Sequence, residues 1–244
     1  MLNISGIHEG FVLDHIKAGM SLQIYNDLKL DQLDCTVAII KNAKSNKMGK
    51  KDIIKVECPV EALDLDILGF IDHTITVNVI KGDKYIEKKY PYNIHYNICI
   101  FGKYALHNFK YTESNILKYI EDNNLIKINL KQGYSKCSIC IVDENSIITS
   151  DKGIYNTVKE YNIDCLLIDE GHIDLFDLNY GFIGGCSGLI SKNKIAFLGD
   201  ITKHPDYIKI KEFLTNKNKE IVCLSKENLL DLGSIIPLMT RKEK

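Results

Sequence analysis

Between residues 98 and 224 the chain passes three times through one order of patterns: a short apolar strand, a polar turn, a second strand, an amphipathic helix and a closing strand. The first pass runs Ile98-Cys99-Ile100-Phe101, a Gly-Lys turn, then Tyr104-Ala105-Leu106. Its helix is predicted over residues 112–121 with Ile116 and Ile120 on one face, and its closing strand over 126–130. The second begins at Ser138-Ile139-Cys140-Ile141-Val142 and turns at Asp143-Glu144-Asn145. Ile147-Ile148 follow, then a helix marked by Ile154, Val158 and Tyr161, and a strand at 165–168. The third has Gly188-Leu189-Ile190, a turn at Lys192-Asn193-Lys194 and Ile195-Ala196-Phe197-Leu198. Tyr207, Ile210, Phe213 and Leu214 mark its helix, and residues 221–224 its last strand. A β-β-α-β unit repeated every 40–50 residues implies strands gathered around a shared centre, because one unit cannot bury its own apolar face.

The first third has a different grammar. Phe11-Val12-Leu13 is a short apolar strand, and Met20, Ile24 and Leu28 recur at the spacing of a helix stripe. Residues 35–40 and 52–57 read as strands, Pro59 can open a helix carrying Leu63 and Ile67, and residues 74–80 alternate as a pleated strand does. The resulting β-α-β-β-α-β order packs two helices on one side of an antiparallel sheet. The grammar changes near residues 83–91.

Charge and length exclude several classes. Thirty-one basic and 32 acidic residues leave a net charge of −1, against the basic excess of a dedicated nucleic-acid binder. No basic segment followed by an apolar core opens the chain, and no apolar run approaches the roughly 18–20 residues that cross a bilayer. A cytoplasmic protein without a membrane or nucleic-acid partner is therefore expected. There the cysteines at 35, 58, 99, 137, 140, 165, 186 and 223 should stay reduced, most as small buried hydrophobes within apolar runs.

Two groups in the first third have chemistry to offer. Residues 41–55 hold six lysines and one acid. If Asp52 begins a strand, Lys51 and Lys55 share a face with their ammonium groups about 13–14 Å apart, suited to the phosphates of a polyanion. From charge alone, a solvated basic hairpin is the simpler account. Asp14-His15 follows a strand, where a carboxylate and an imidazole can meet a ribose or a base amino group, or can simply cap a turn.

Three segments in order carry a family resemblance: Gly6-Ile7-His8-Glu9-Gly10-Phe11-Val12-Leu13-Asp14-His15-Ile16, Met48-Gly49-Lys50-Lys51-Asp52-Ile53-Ile54-Lys55-Val56-Glu57, and Ile75-Thr76-Val77-Asn78-Val79-Ile80. Over residues 1–88 the chain resembles the allosteric domain of the aspartate carbamoyltransferase regulatory chain. The resemblance implies a ferredoxin-like domain, without catalysis, that binds CTP, ATP or UTP as competing effectors. By position it implies Asp14, His15, Lys51 and Lys55 at the nucleotide, Ile4, Ser5, Gly6, Ile7 and Val12 along the base, and Lys88 at a phosphate. Its implied partners are nucleotides and the aspartate carbamoyltransferase catalytic chain, and it admits a homodimer. In that family a small zinc domain follows and docks on the catalytic chain. Here Cys137-Ser138-Ile139-Cys140 is a lone pair on an expected strand, so no metal is expected and the docking contact is in question.

From residue 89 to 244 the repetition, with Gly171-His172-Ile173-Asp174 and Gly184-Gly185-Cys186-Ser187-Gly188, resembles the guanidine-modifying, or pentein, fold. A complete pentein has five units, so the expected architecture is α+β: a ferredoxin-like domain followed by a partial pentein-like domain of about three units. Pentein enzymes use a His-x-Asp element and a cysteine near the C-terminus. His172 and Asp174 match the first, but glycine and serine occupy the second in Asp231-Leu232-Gly233-Ser234-Ile235-Ile236-Pro237-Leu238. Cys186 is the remaining candidate nucleophile, or else a small residue in a tight turn. His204-Pro205 reads as a helix entrance, while His95 and His107 read as isolated. Two functions follow: an effector-binding regulator of aspartate carbamoyltransferase in pyrimidine biosynthesis, or a hydrolase or transferase of a guanidino compound. A junction of no settled function is a third.

Overall fold

The computed structural model describes strand Cys35–Ile39, residues 84 and 87, and residues 89–240 apart from 177. The elements are β1 Cys35–Ile39, β2 Cys99–Phe101, β3 Tyr104–His107, α1 Ser114–Asp122 and β4 Ile126–Asn129. Then come α2 Ser135–Ser138, β5 Ile139–Ile141, β6 Ser146–Thr149, α3 Lys152–Lys159 and β7 Asp164–Leu167. The chain continues through β8 Ser187–Leu189, β9 Lys194–Phe197, α4 Tyr207–Asn216, β10 Glu220–Cys223 and β11 Ile235–Thr240. The ferredoxin-like arrangement expected of residues 1–88 lies outside the described residues except at β1.

The three expected β-β-α-β units are present, each as a separate three-stranded sheet. In every unit the first two strands pair antiparallel and the closing strand pairs parallel to the second: β2-β3-β4, β5-β6-β7 and β8-β9-β10. A parallel partner needs a crossover, which is where each helix is used. The turns differ in chemistry. Gly102 takes φ +50°, and a Cβ there would stand 2.2 Å from Glu144 O. In the second unit Asp143 Oδ1 accepts from Asn145 N at 2.8 Å. In the third, Ser191 Oγ accepts from Lys194 N at 3.0 Å.

Local signals start and stop the helices. Glu113 caps α1, its Oε2 accepting from Asn115 N and Ile116 N at 2.7 and 3.1 Å, and Asp151 Oδ1 caps α3 by accepting from Ile154 N at 2.8 Å. Helices α1, α3 and α4 are each followed, two or three residues on, by an asparagine in the left-handed region: Asn124 at φ 53°, Asn162 at 55° and Asn218 at 53°. The next residue then turns its amide back onto the last turn: Leu125 N to Ile120 O at 2.9 Å, Ile163 N to Val158 O at 3.3 Å, and Lys219 N to Leu214 O at 2.9 Å. This satisfies carbonyls that a helix end leaves open.

The helix stripes fall where the apolar spacing put them. Ile116 and Ile120, Ile154 and Val158, and Ile210 and Leu214 are buried. Successive strand residues face opposite ways, and the second unit uses both faces. Ile139 and Ile147 pack back on Phe101, Leu106 and Ile128 of the first unit. Cys140 and Ile148 pack forward on Ile195, Phe197 and Leu198 of the third. The cores therefore interlock from unit to unit.

Strand β11 follows the third unit and runs antiparallel to β1, with Cys35 opposite Thr240 and Ile39 opposite Ile235. The register shifts between Thr36 and Val37, where Pro237 stands opposite Val37. Proline has no amide to give a ladder, and a bulge is where a strand tolerates it. One expectation is corrected locally: Ser138 does not open a strand, since Ser135–Ser138 form a helical turn ahead of β5.

Candidate functional site

The segments leading into β2, β5, β8 and β11 meet one another. Asn97, two residues before β2, accepts at Oδ1 from Lys136 N and Cys137 N at 2.9 and 3.2 Å, and its Nδ2 donates to Cys137 Sγ at 3.1 Å. Cys137 O accepts from Gly185 N at 3.1 Å, and Gly185 O accepts from Leu232 N at 3.2 Å. A chain of bonds thus runs through the four lead-ins in sequence order. The glycines are required by proximity: a Cβ on Gly184 would stand 2.3 Å from both Ile139 O and Lys136 O, and one on Gly185 would stand 1.9 Å from Asp231 Oδ1.

Asp231 lies at the heart of this junction, fully buried. Its Oδ2 accepts from Phe182 N at 2.9 Å and its Oδ1 from Gly233 N at 3.0 Å. Burial nevertheless pushes its carboxyl up to about 6, outweighing the two backbone donors and the positive charge of Lys136. Lys136 Nζ donates to Ser234 Oγ at 2.7 Å and reaches Gly184 O at 3.4 Å, and Ser234 Oγ donates to Ser187 O at 3.2 Å. Ser234 holds this position at φ 146°, after Gly233 at 103°. A buried acid, an ammonium group and a hydroxyl therefore share one centre at the head of β11. Burial pushes the nearby thiols up, Cys99 and Cys137 to about 12 and Cys140 to about 11, which disfavours the thiolate.

The candidate residues of the C-terminal part occupy three different surroundings. His172 is exposed and meets the buried ring of His204 edge-on, with centroids 5.3 Å apart. His204 Nδ1 accepts from Asp206 N at 3.1 Å, and burial, with His172 beside it, lowers the ring's pKa. Asp174 is exposed at an open cavity of about 390 Å³ lined by Leu175, Phe176, Leu178, Glu227, Asn228 and Leu230 among others. Its Oδ2 accepts from Asn228 Nδ2 at 3.3 Å, and a parallel bridge to Leu230 fixes its backbone. Cys186 is buried in the core, its Sγ set on Ile183 O at 3.4 Å and its thiol held well above the ordinary value by burial. No hydrogen bond joins His172, Asp174 and Cys186 among the described residues. Cys186 is the small residue of a tight turn, not an exposed thiolate.

Asn97 and Lys136 carry no motif for this role in the sequence, and Asp231 and Ser234 stand out there only within the segment that resembles the pentein nucleophile region. The available signal was positional: each stands within a few residues of the strand that opens a unit or follows the last one. His95 and His107, isolated in the sequence, both have partners in the fold: His95 Nδ1 bonds Tyr111 O at 2.5 Å and His107 Nδ1 bonds Thr112 Oγ1 at 2.6 Å. Burial lowers His107 to about 4. His204 does precede a helix, as expected, since α4 begins at Tyr207. The expected nucleotide residues Ile4, Ser5, Gly6, Ile7, Val12, Asp14, His15, Lys51, Lys55 and Lys88 lie outside the described residues. Among the described residues, no group of three or more His, Cys, Asp and Glu side chains is placed to hold a metal ion, and no helix is long and apolar enough to cross a membrane.

Comparison with known proteins gives two matches. Residues 68–236 match a family of unknown function, DUF6873, and residues 2–91 match the allosteric domain of the aspartate carbamoyltransferase regulatory chain. The regulatory chain of Clostridium botulinum (strain Hall) is 50% identical over 88 residues, which are 36% of this chain and 60% of that one. That of Clostridium tetani is 47% identical over 88 residues, 36% of this chain and 61% of its own, and that of Bifidobacterium longum 42% over 90, with shares of 37% and 64%. The chain therefore spans under two thirds of the length of these relatives. No solved structure matches it.

Proposed function

We propose that this chain, which belongs to the DUF6873 family of unknown function, is a nucleotide-responsive regulatory protein of pyrimidine biosynthesis. The observation that carries the reading is half identity, over 88 residues, to proteins named as aspartate carbamoyltransferase regulatory chains. All four residues proposed to hold the effector, Asp14, His15, Lys51 and Lys55, fall inside the matched span of 2–91. The effector is CTP, ATP or UTP. Lys51 and Lys55 meet its phosphates as point charges, while Asp14 and His15 select the nucleoside by hydrogen bonding. Ile4, Ser5, Gly6, Ile7 and Val12 line the base, and Lys88 reaches a phosphate. The domain boundary lies near residue 88, within the overlap of the two matches. The protein partner is the aspartate carbamoyltransferase catalytic chain, contacted without a zinc module, in the cytosol. The chain itself forms a homodimer.

Titration calorimetry with CTP, ATP and UTP on the folded chain tests the effector claim. Heat of binding is expected, with affinity reduced at least ~10-fold in Lys51→Ala/Lys55→Ala, as loss of two charge-assisted contacts requires. No heat with any of the three sinks the reading. Co-purification with the catalytic chain tests the partner separately.

The three β-β-α-β units favour a second reading of the C-terminal part as a pentein-like body. Its chemistry would be cleavage or transfer of a guanidino group, with His172 and Asp174 as the inherited pair. The burial of Cys186 weighs against turnover. Assay of arginine and agmatine, with Cys186→Ala as the control, decides it.

A further inference from the structure

Strand β11 belongs to two neighbourhoods at once. On one side it pairs along β1 through all five residues of that strand, Cys35 to Ile39. On the other it lies against β8 so closely that a Cβ on Gly188 would stand 2.1 Å from Ile235 O. Its head is fastened as well: Ser234 Oγ donates to Ser187 O at 3.2 Å and accepts from Lys136 Nζ at 2.7 Å, three residues after buried Asp231. β1 lies within the span matching the regulatory-chain allosteric domain, and in sequence it stands between Asp14-His15 and Lys51-Lys55.

We infer that β11 is an internal strand addition whose docking surface is the edge of β1, and that it carries the state of the N-terminal third to the Lys136–Asp231–Ser234 junction. Main-chain pairing supplies the attachment, as in any strand added to an exposed edge. The bulge at Leu238, next to Pro237, skips one residue of β11 in the register and lets the strand bend between its two neighbours. Because β11 sits against a glycine on one side and a ladder on the other, a shift of β1 cannot be absorbed by side-chain rearrangement. It passes to Ser234 and so to Lys136. The coupling rests on the effector reading above; the pairing does not.

Two measurements on the full chain separate the claims. Thr36 and Met239 are register partners, so Thr36→Cys/Met239→Cys places two thiols across the ladder, within disulfide reach for facing residues. The 36–239 link should form on mild oxidation of the folded chain and appear as a cross-linked peptide by mass spectrometry. Its absence, in a variant whose circular dichroism matches wild type, overturns the pairing. Hydrogen exchange of residues 231–240 with and without saturating CTP tests the coupling, with calorimetry run alongside. The expected result is heat of binding together with exchange slowed at least ~5-fold at β11 and at Ser234, the signature of a stabilised local opening unit. Heat without any change there overturns the coupling and leaves the effector reading standing. Absence of heat removes the effector reading and the coupling together, and the cross-link then decides the pairing by itself.

Discussion

Asp231 and His107 show how two buried groups impose opposite pH dependences on one body. Asp231 has its folded pKa raised to about 6 from 3.8 by burial. Below the lower value both folded and unfolded chains hold the proton, and the group costs nothing. As pH rises from about 4 to 6 the unfolded chain releases its proton first, so folding loses up to about 3 kcal/mol, and the loss persists at higher pH. His107 runs the other way, with its folded value lowered to about 4. Its contribution is full above about 6.5 and is lost as pH falls towards 4. A wild-type melting curve mixes the two, so the useful quantity is a difference. The Tm of Asp231→Asn minus that of wild type should rise steadily between pH 4 and pH 6.5 and then level off. A pH-independent difference would mean that the carboxyl is not desolvated. The burial of Asp231 was not legible beforehand, because its partners lie far along the chain: it bonds Phe182 across 49 positions.

Helices and strands were legible to within a few residues, and the reason is local. Ile154 and Val158 are four apart and both fully buried, and Asp151 caps the helix that they define. The repeated asparagines at 124, 162 and 218 were equally visible as letters, but only their shared positive φ shows that each is a stop signal. Asparagine tolerates the left-handed region better than alanine does. Asn162→Ala should therefore destabilise by about 1–2 kcal/mol, whereas Asn162→Gly should be neutral or slightly stabilising, since glycine has no Cβ to strain. Urea midpoints at constant m-value would check this, and equal effects from the two substitutions would rule out a backbone cause. The turn Ser135–Ser138 was not legible: Cys137 looked like part of the strand beginning at Ser138. Its helical form depends on Asn97 Oδ1 holding the amides of Lys136 and Cys137 from 39 and 40 positions away.

Whether the three units behave as an array or as one body depends on what joins them. Repeats that touch only their neighbours fold and melt in partial steps. Here neighbour contacts do exist, since Ile147 packs on the first unit and Ile148 on the third. The four lead-in segments add a second connection in sequence order, and one bond in it skips a unit: Lys136 of the second unit bonds Ser234, beyond the third, across 98 positions. Gly185 is the tightest point of that connection, with Asp231 Oδ1 only 1.9 Å from where a Cβ would sit. The methyl group of Gly185→Ala has to displace a carboxylate already fixed by two backbone amides, so a cost of about 1–3 kcal/mol is expected. The pattern of that loss is more informative than its size. In one cooperative body, amide exchange in α1 of the first unit accelerates as much as exchange in α4 of the third, although the substitution touches neither helix. If α4 and β11 loosen while α1 keeps its protection, the units are independent. The junction around Asp231 would then be a local fastening of the C-terminal strand and not the centre of the molecule.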